Sequence, residues 1–226
     1  MARASARPYT ASMPAHVDLF WSFRSPYSYL AMPGACKLEQ DFEVEVRFRP
    51  VLPLAVRDPA FFSPDNLKRA RYIGLDWVRR AEMLGLPHRW PSPDPIVQDL
   101  QSYKIAAEQP YIHLLTRLGV DAERRDRGIE FAREVSALIF GGTRDWHLGD
   151  HLAQAAQRAG LELAAMEVAI ADPAGHDADI EANQQALAAA GHWGVPTFVF
   201  AGEPFFGEDR IDTLRWRLGH RALQRR

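Results

Sequence analysis

The chain has 226 residues, of which 47% are hydrophobic and 25% are charged, so it is long enough for one large globular domain or for two that share a core. Its formal net charge of −2 gives no reason to expect nucleic acid or an acidic membrane surface as a partner. Cys36 is the only cysteine, which excludes an internal disulfide and an all-cysteine metal site and favours a reducing, cytoplasmic location.

The first residues of the chain include arginines but no continuous apolar run. A secretory signal needs such a run, and no later segment approaches the length of a membrane span. We therefore expect residues 1–15 to be a disordered tail, or Met13 to be the true initiator. A short mitochondrial-type targeting segment is a further interpretation.

The first ordered elements are expected from His16 onward. The run HVDLFWSF is short and apolar, which is typical of a buried strand. Ser25 suits the cap of a following helix, and Pro26 suits its first turn, where a missing N–H costs nothing. We expect Pro33 and Gly34 to bend or interrupt this helix.

The rest of the chain separates into strand and helix patterns. Residues 42–53 alternate apolar and charged side chains and predict a half-exposed strand that ends at Pro50, giving a parallel β-α-β unit. The periodicity is helical in five segments from Asn66 to Ala171, among them 101–119 and 146–160, and a further helix follows Pro173.

The C-terminal segment returns to strand character. The run GVPTFVFAGEPFFG predicts a β-hairpin that turns at residues 201–203, and a closing helix follows from about Asp209. The first and last parts of the chain therefore fit a single mixed sheet that a helical insertion divides.

The corner between the first strand and its helix, Ser25–Ser28, is the first candidate site. The sequence around this corner shows no His–Asp pair that could deprotonate Ser25. The N-terminus of a helix, however, favours anions. The hydroxyl could therefore donate to a thiolate that a ligand brings, lowering a thiol pKa of ~8.5 by a unit or more. The alternative is that Ser25 only caps the helix; Ser28, one turn on, is expected on the helix surface.

Three motifs in this order resemble those of a known family: Ser25-Pro26-Tyr27 after the first strand, Gly194–Thr197 (GVPT) before the hairpin, and Gly207–Arg210 (GEDR) at the last helix. From His16 to about Leu218 the chain is similar to the 2-hydroxychromene-2-carboxylate isomerases and the kappa-class glutathione transferases. It departs from them at Glu208, where a small or neutral polar residue is usual, and in the Pro-rich stretch 90–99.

The resemblance implies an α/β, thioredoxin-like fold with an inserted all-helical, DsbA-type domain. We expect residues 16–60 and 173–226 to form the thioredoxin-like domain and residues 61–172 the helical insertion. In that fold the corner usually carries Cys-x-x-Cys, so the two serines found here exclude this redox chemistry.

The resemblance also implies glutathione as the cofactor, with Ser25 as the catalytic residue. A cis bond between Val195 and Pro196 would let the Val195 backbone pair with the cysteinyl part, as an added strand does. Backbone N–H groups at Glu208 and Asp209 would hold the γ-glutamyl carboxylate, with the Asp209 side chain on the ammonium group; the alternative is an ordinary acidic first turn.

Lys68 matches a lysine of the family by rough position, and Asn66 is a further candidate beside it. The resemblance places Lys68 near the glycine carboxylate of glutathione, with Asn66 beside it. A lysine on a solvated helix face and an asparagine that caps a helix are the alternative interpretations.

The implied activity is cis–trans isomerisation of an aromatic-degradation intermediate by reversible thiolate addition. The alternatives are a kappa-like transferase that conjugates small electrophiles, and a redox-inactive binding protein. The family implies a homodimer.

His147 and His151 could share a helical face with Asp150, but Gly149 weakens that helix, and we predict no metal site.

Overall fold

The computed structural model describes residues 15–58, 67–99, 101–102, 104–221, 223 and 225. The predicted tail, apart from Ala15, and the predicted site residue Asn66 lie outside these ranges. The predicted domain boundary at residues 60–61 lies outside them too.

A mixed sheet of four strands forms the centre of the described fold. The strands are β1 (Ala15–Trp21), β2 (Val44–Pro50), β3 (Thr197–Phe200) and β4 (Glu203–Phe206), in the order β2-β1-β3-β4. β1 and β2 are parallel, whereas β3 is antiparallel to both β1 and β4. The predicted β-α-β unit and the predicted hairpin are therefore confirmed, and they share one sheet.

Helices separate and follow these strands. They are α1 (Pro26–Asp41), α2 (Leu54–Arg57), α3 (Leu67–Leu84), α4 (Pro110–Arg124), α5 (Gly128–Phe140), α6 (His151–Arg158), α7 (Leu163–Ala169), α8 (Ala174–Ala189) and α9 (Ile211–His220), with a 3₁₀ turn at Glu208–Arg210 directly before α9. Among the described residues, no helix combines the length and apolar character needed to cross a membrane.

Three boundaries differ from the sequence prediction. α4 begins at Pro110, because the Gln109 amide bonds to backbone groups of the preceding loop and proline suits a first helical turn. α6 begins at His151, after Gly149 at φ +60°. The hairpin turn is shorter than expected, because Glu203 already belongs to β4.

One apolar core joins the sheet to the helices that follow β2. Phe23, directly after β1, makes edge-to-face contacts with Phe48 of β2 and with Phe131 of α5. All three rings are buried. The sheet and the helical segment therefore support the same corner after β1.

α1 continues through Pro33, so the predicted interruption is wrong. Proline removes one helical hydrogen bond, but the buried face of α1 packs against β2, α3, α5 and α9, and this packing outweighs the local preference. Gly34 allows α9 to approach closely: a Cβ there would lie 2.7 Å from Ile211 Cδ1 and 3.0 Å from Ile211 Cγ2.

We expect Gly34→Ala to lower the free energy of unfolding by about 1–3 kcal/mol, because the added methyl group would displace both branches of the buried Ile211 side chain. Gly74→Ala is the matched control, since a Cβ at Gly74 in α3 meets nothing within 4 Å and should stabilise the helix by about 0.5–1 kcal/mol. Urea unfolding measures both. Equal effects would show that α1 and α9 do not touch at Gly34.

Two carboxylates close the free edge of β2. The Val46 N–H donates to Glu39 Oε1 (2.6 Å), and the Phe48 N–H donates to Glu123 Oε1 (2.9 Å). Burial raises the pKa of Glu123 to about 7, and the Phe48 hydrogen bond opposes this only in part. These side chains occupy the backbone groups through which another strand could add to the sheet.

The raised pKa predicts a pH-dependent stability. Between pH 4.5 and 7 the folded state binds more protons at Glu123 than the unfolded state, so the free energy of unfolding should fall by about 2–3 kcal/mol as the pH rises through this window. Glu123→Gln keeps the acceptor for Phe48 N–H and should abolish this component. Urea unfolding of both proteins from pH 5 to 8 tests it; parallel pH profiles would contradict the assignment.

Candidate active site

The corner after β1 begins with Ser25 as the N-cap of α1. Its Oγ accepts a hydrogen bond from the Ser28 N–H (3.2 Å), and Pro26 is the first residue of the helix, as the sequence predicts. The Ser25 N–H donates to Ser22 O (3.0 Å). Backbone bonds on both sides thus fix the position of the Ser25 side chain.

The loop before β3 meets this corner. The Val195–Pro196 peptide bond is cis, as expected from the resemblance, and the Ser25 hydroxyl donates to the Val195 carbonyl (3.2 Å). The Pro196 carbonyl in turn accepts the Gly207 N–H (2.9 Å). A chain of contacts therefore connects the three motifs that are far apart in sequence.

Two backbone donors remain unused here. Among the described residues, neither the Tyr27 N–H nor the Val195 N–H has a hydrogen-bond acceptor. The first belongs to the start of a 16-residue helix, where free N–H groups and the helix dipole favour an anion. The corner therefore offers donors to a negatively charged or carbonyl-bearing ligand.

These groups open into a cleft of about 1150 Å³. The predicted site residues that line it are Ser25, Lys68, Val195, Glu208 and Asp209. Pro196 lies behind the lining, held through its carbonyl to Gly207. The structure thus brings the described candidates to one cavity, while their roles toward a ligand stay predictions.

Ser28 differs from its prediction. It was expected on the helix surface, but it is fully buried, and its Oγ has no hydrogen-bond partner. The first turn of α1 packs its inner side into the core, so position 28 faces inward and only its N–H serves the corner.

Cys36 lies away from the cleft. It stands in α1, eleven residues after Ser25, which is about 16 Å along a helix axis. It lines a separate, smaller cavity, and burial raises the pKa of its thiol. Since it is the only cysteine of the chain, the cleft contains no protein thiol.

α3 forms one side of the cleft, which the sequence did not reveal. Lys68, Tyr72, Asp76 and Arg80 recur every four residues on one face of this helix, and all four line the cavity. That spacing is visible in the sequence, but only the fold shows that this face turns toward the corner.

Two contacts fasten α3 to the cleft walls. The Tyr27 hydroxyl donates to Asp76 Oδ2 (2.8 Å), and Arg80 holds both oxygens of Glu208. Burial, with the Asp76 contact second, raises the pKa of Tyr27. Burial alone would raise the pKa of Asp76, but hydrogen bonds from Tyr27 and Arg79 outweigh it and the pKa is lowered.

Glu208 and Asp209 differ in exposure. The Glu208 side chain is 7% exposed and bound by Arg80, so any ligand contact from this residue would come from its backbone. The Asp209 carboxylate is about half exposed and lies 3.3 Å from Arg210. Asp209 is therefore the accessible carboxylate of this pair.

The Pro-rich stretch supplies another wall. Asp94 accepts two hydrogen bonds from Arg24 (both 3.1 Å) and one from Trp90 Nε1 (3.2 Å), and the Arg24 guanidinium lies 5.3 Å from the centre of the Trp90 ring. Arg24 and Trp90 both line the cleft. Trp90, in the Pro-rich stretch, therefore borders the site directly, and Asp94 holds it and Arg24 in place.

His147 and His151 do not share a helical face, because His147 precedes α6. Within the described ranges, no three His, Cys, Asp or Glu side chains are grouped so that they could hold a metal ion.

Comparisons with known proteins identify the family of this fold. The profile of the DSBA-like thioredoxin domain matches residues 16–219. The chain belongs to this family. The family and the solved structures confirm the thioredoxin-like α/β fold with helical insertion that the three motifs imply.

Individual relatives of this DsbA-like domain are distant. This chain is 23% identical over 207 residues to 2-hydroxychromene-2-carboxylate isomerase of a Pseudomonas species (strain C18), and the match covers 90% of each chain. A solved 2-hydroxychromene-2-carboxylate isomerase superposes with a TM-score of 0.69 at 22% identity, over 91% of this chain and 95% of that one. The predicted resemblance to these isomerases is thereby confirmed.

A third similar structure is the cytosolic disulfide reductase DsbM of Pseudomonas aeruginosa with GSH. Its TM-score is 0.56 at 15% identity, over 90% of this chain and 99% of that one. At this identity the likeness concerns the fold.

Proposed function

We propose that this protein is a glutathione-dependent cis–trans isomerase of the 2-hydroxychromene-2-carboxylate isomerase type. The observation that carries the proposal is an anion-favouring corner with Ser25 at its tip and no protein thiol in the cleft. A thiolate at this corner must therefore come from a ligand. The distant isomerases support the reaction type, and the DsbM structure with GSH is an example of this fold together with glutathione.

The cleft fits an extended γ-glutamyl tripeptide. Lys68 and Arg80 are twelve residues apart on α3, about 18 Å along the axis, whereas three extended residues span about 10–11 Å. The long Lys68 side chain can bridge the difference to the glycine carboxylate. Asp209 would receive the ammonium group at the other end, and the free Val195 N–H would pair with the cysteinyl carbonyl.

Ser25 would hold the sulfur. Its Oγ keeps the hydrogen bond from Ser28 N–H while the hydroxyl hydrogen rotates from the Val195 carbonyl toward an anion. The free Tyr27 N–H at the same helix start adds a second donor. When bound, glutathione supplies a nucleophile that adds reversibly to an unsaturated carbon, so that the alkene geometry can change. The residues of the chain lower the thiol pKa and orient the sulfur.

The hydroxyl of Ser25 should control the thiol pKa of bound glutathione. We expect the wild-type protein to lower this pKa by about one unit or more below ~8.5, because the corner stabilises the thiolate. Ser25→Ala should raise the pKa back most of the way to the free value. Turnover should then fall by about a hundredfold or more. Thiolate absorbance in a pH titration measures the pKa.

Ser28→Ala is the matched control for this experiment. It removes a buried hydroxyl that has no partner but keeps the N–H that bonds to Ser25, so the pKa of the bound thiol should stay at the wild-type value. An unshifted pKa in the wild-type protein would favour a redox-inactive binding protein. An unchanged Ser25→Ala rate would remove Ser25 from the mechanism.

The reaction class is tested with two substrates in parallel. With 2-hydroxychromene-2-carboxylate and catalytic glutathione, we expect isomerisation without loss of glutathione, because the sulfur is released in each cycle. With a chloronitrobenzene we expect little conjugate. Chromatography of both mixtures gives the answer, and accumulating conjugate without isomerisation would instead indicate a kappa-like transferase that uses the same cleft.

A further inference from the structure

A partly buried ion pair lies at the Glu208–Asp209 end of the cleft. Arg80 Nε is 2.5 Å from Glu208 Oε1, and Arg80 Nη2 is 2.9 Å from Glu208 Oε2. The Arg80 side chain is 26% exposed and that of Glu208 only 7%. Both residues line the cavity beside Asp209. The contact is bidentate, which fixes its direction as well as its distance.

The pair determines the charge at this end of the cleft. A carboxylate taken out of water is costly unless a cation compensates it, and Arg80 does so for Glu208. The pKa of Arg80 is raised, chiefly by this hydrogen bond, against the effect of burial, and the charges of Asp209 and Asp76 act in the same direction. Arg80 is thus the cation shared by three neighbouring carboxylates.

Without Arg80, the Glu208 carboxylate would lose its ion-pair partner and make this place more negative, although Arg210 still lies 3.3 Å from Asp209. An anionic group of a ligand would then approach Glu208 and Asp209 together and be repelled. Because this chain has a glutamate at position 208, binding of an anionic group beside it requires the positive charge of Arg80.

We propose that Arg80 is a specificity-determining residue, which neutralises Glu208 so that the cleft accepts the α-carboxylate of a γ-glutamyl group. The inference rests on the proposed function and adds the residue pair on which recognition of that end depends. Arg80 acts through Glu208; it is a positioning residue and does not contact the reacting sulfur.

The test compares Arg80→Met, Glu208→Gln and the double variant by calorimetric titration with glutathione. Arg80→Met should raise the dissociation constant about tenfold or more, because Glu208 is left unpaired. Glu208→Gln should change it less than about threefold. The double variant should return to within about threefold of wild type, since the unpaired charge is gone. Arg71→Met, an exposed position on the same helix, is the control and should bind as wild type.

A second ligand separates recognition from loss of structure. 4-Aminobutanoyl-cysteinylglycine is glutathione without its α-carboxylate, so its affinity should change less than about threefold in Arg80→Met. The loss of glutathione affinity in Arg80→Met should also become smaller as salt is raised from 0.05 to 0.5 M, because salt screens the repulsion between charges.

The outcomes are distinct. Equal weakening of both peptides, or a double variant as weak as Arg80→Met, would show that Arg80 is only a structural link and would overturn the inference alone. Unchanged glutathione affinity in Arg80→Met would do the same. A wild-type protein that does not bind glutathione would overturn the proposed function together with the inference.

Discussion

The site depends on one hydroxyl group held between two backbone segments. Ser25 Oγ accepts the N–H of Ser28 and donates to the carbonyl of Val195, so the start of α1 and the loop before β3 are fixed against each other. The Pro196 carbonyl extends the link to Gly207 and so to the last helix. Each of the three sequence motifs therefore has its place because the other two are present.

This arrangement separates the fold from the redox chemistry that its family name suggests. The corner keeps a helix start that favours an anion, while the only thiol of the chain lies in another cavity with a raised pKa. Under the proposed function the scaffold would supply electrostatic stabilisation and position, and a diffusible ligand would supply the nucleophile.

The sequence predicts the elements that rest on local pattern. Alternation and short apolar runs gave β1, β2 and the hairpin, and Ser25 with Pro26 gave the start of α1. It failed where packing outweighs local preference: α1 continues through Pro33, because its neighbours bury the helix on several sides. Ser28 was misplaced for a related reason, since a polar residue in a first turn gives no sign that the turn faces the core.

The candidate site, too, could be predicted where a local motif marks it and not where it depends on how the chain folds. Motif residues such as Val195 and Asp209 could be named from the sequence, and they line the cleft. The partners on α3 could not, because a four-residue spacing shows that Asp76 and Arg80 share a face without showing what lies opposite. Ion pairs between residues 128 positions apart, such as Arg80 and Glu208, become visible only when the chain is folded.

The placement of those two partners has a consequence for access to the interior. Asp76 and Arg80 lie one turn apart on α3. Asp76 accepts a hydrogen bond from Tyr27, whereas Arg80 forms an ion pair with Glu208. Because both contacts lie within one turn of α3, breaking either one alone leaves this part of the helix attached to the cleft, so a wider opening here requires the loss of both.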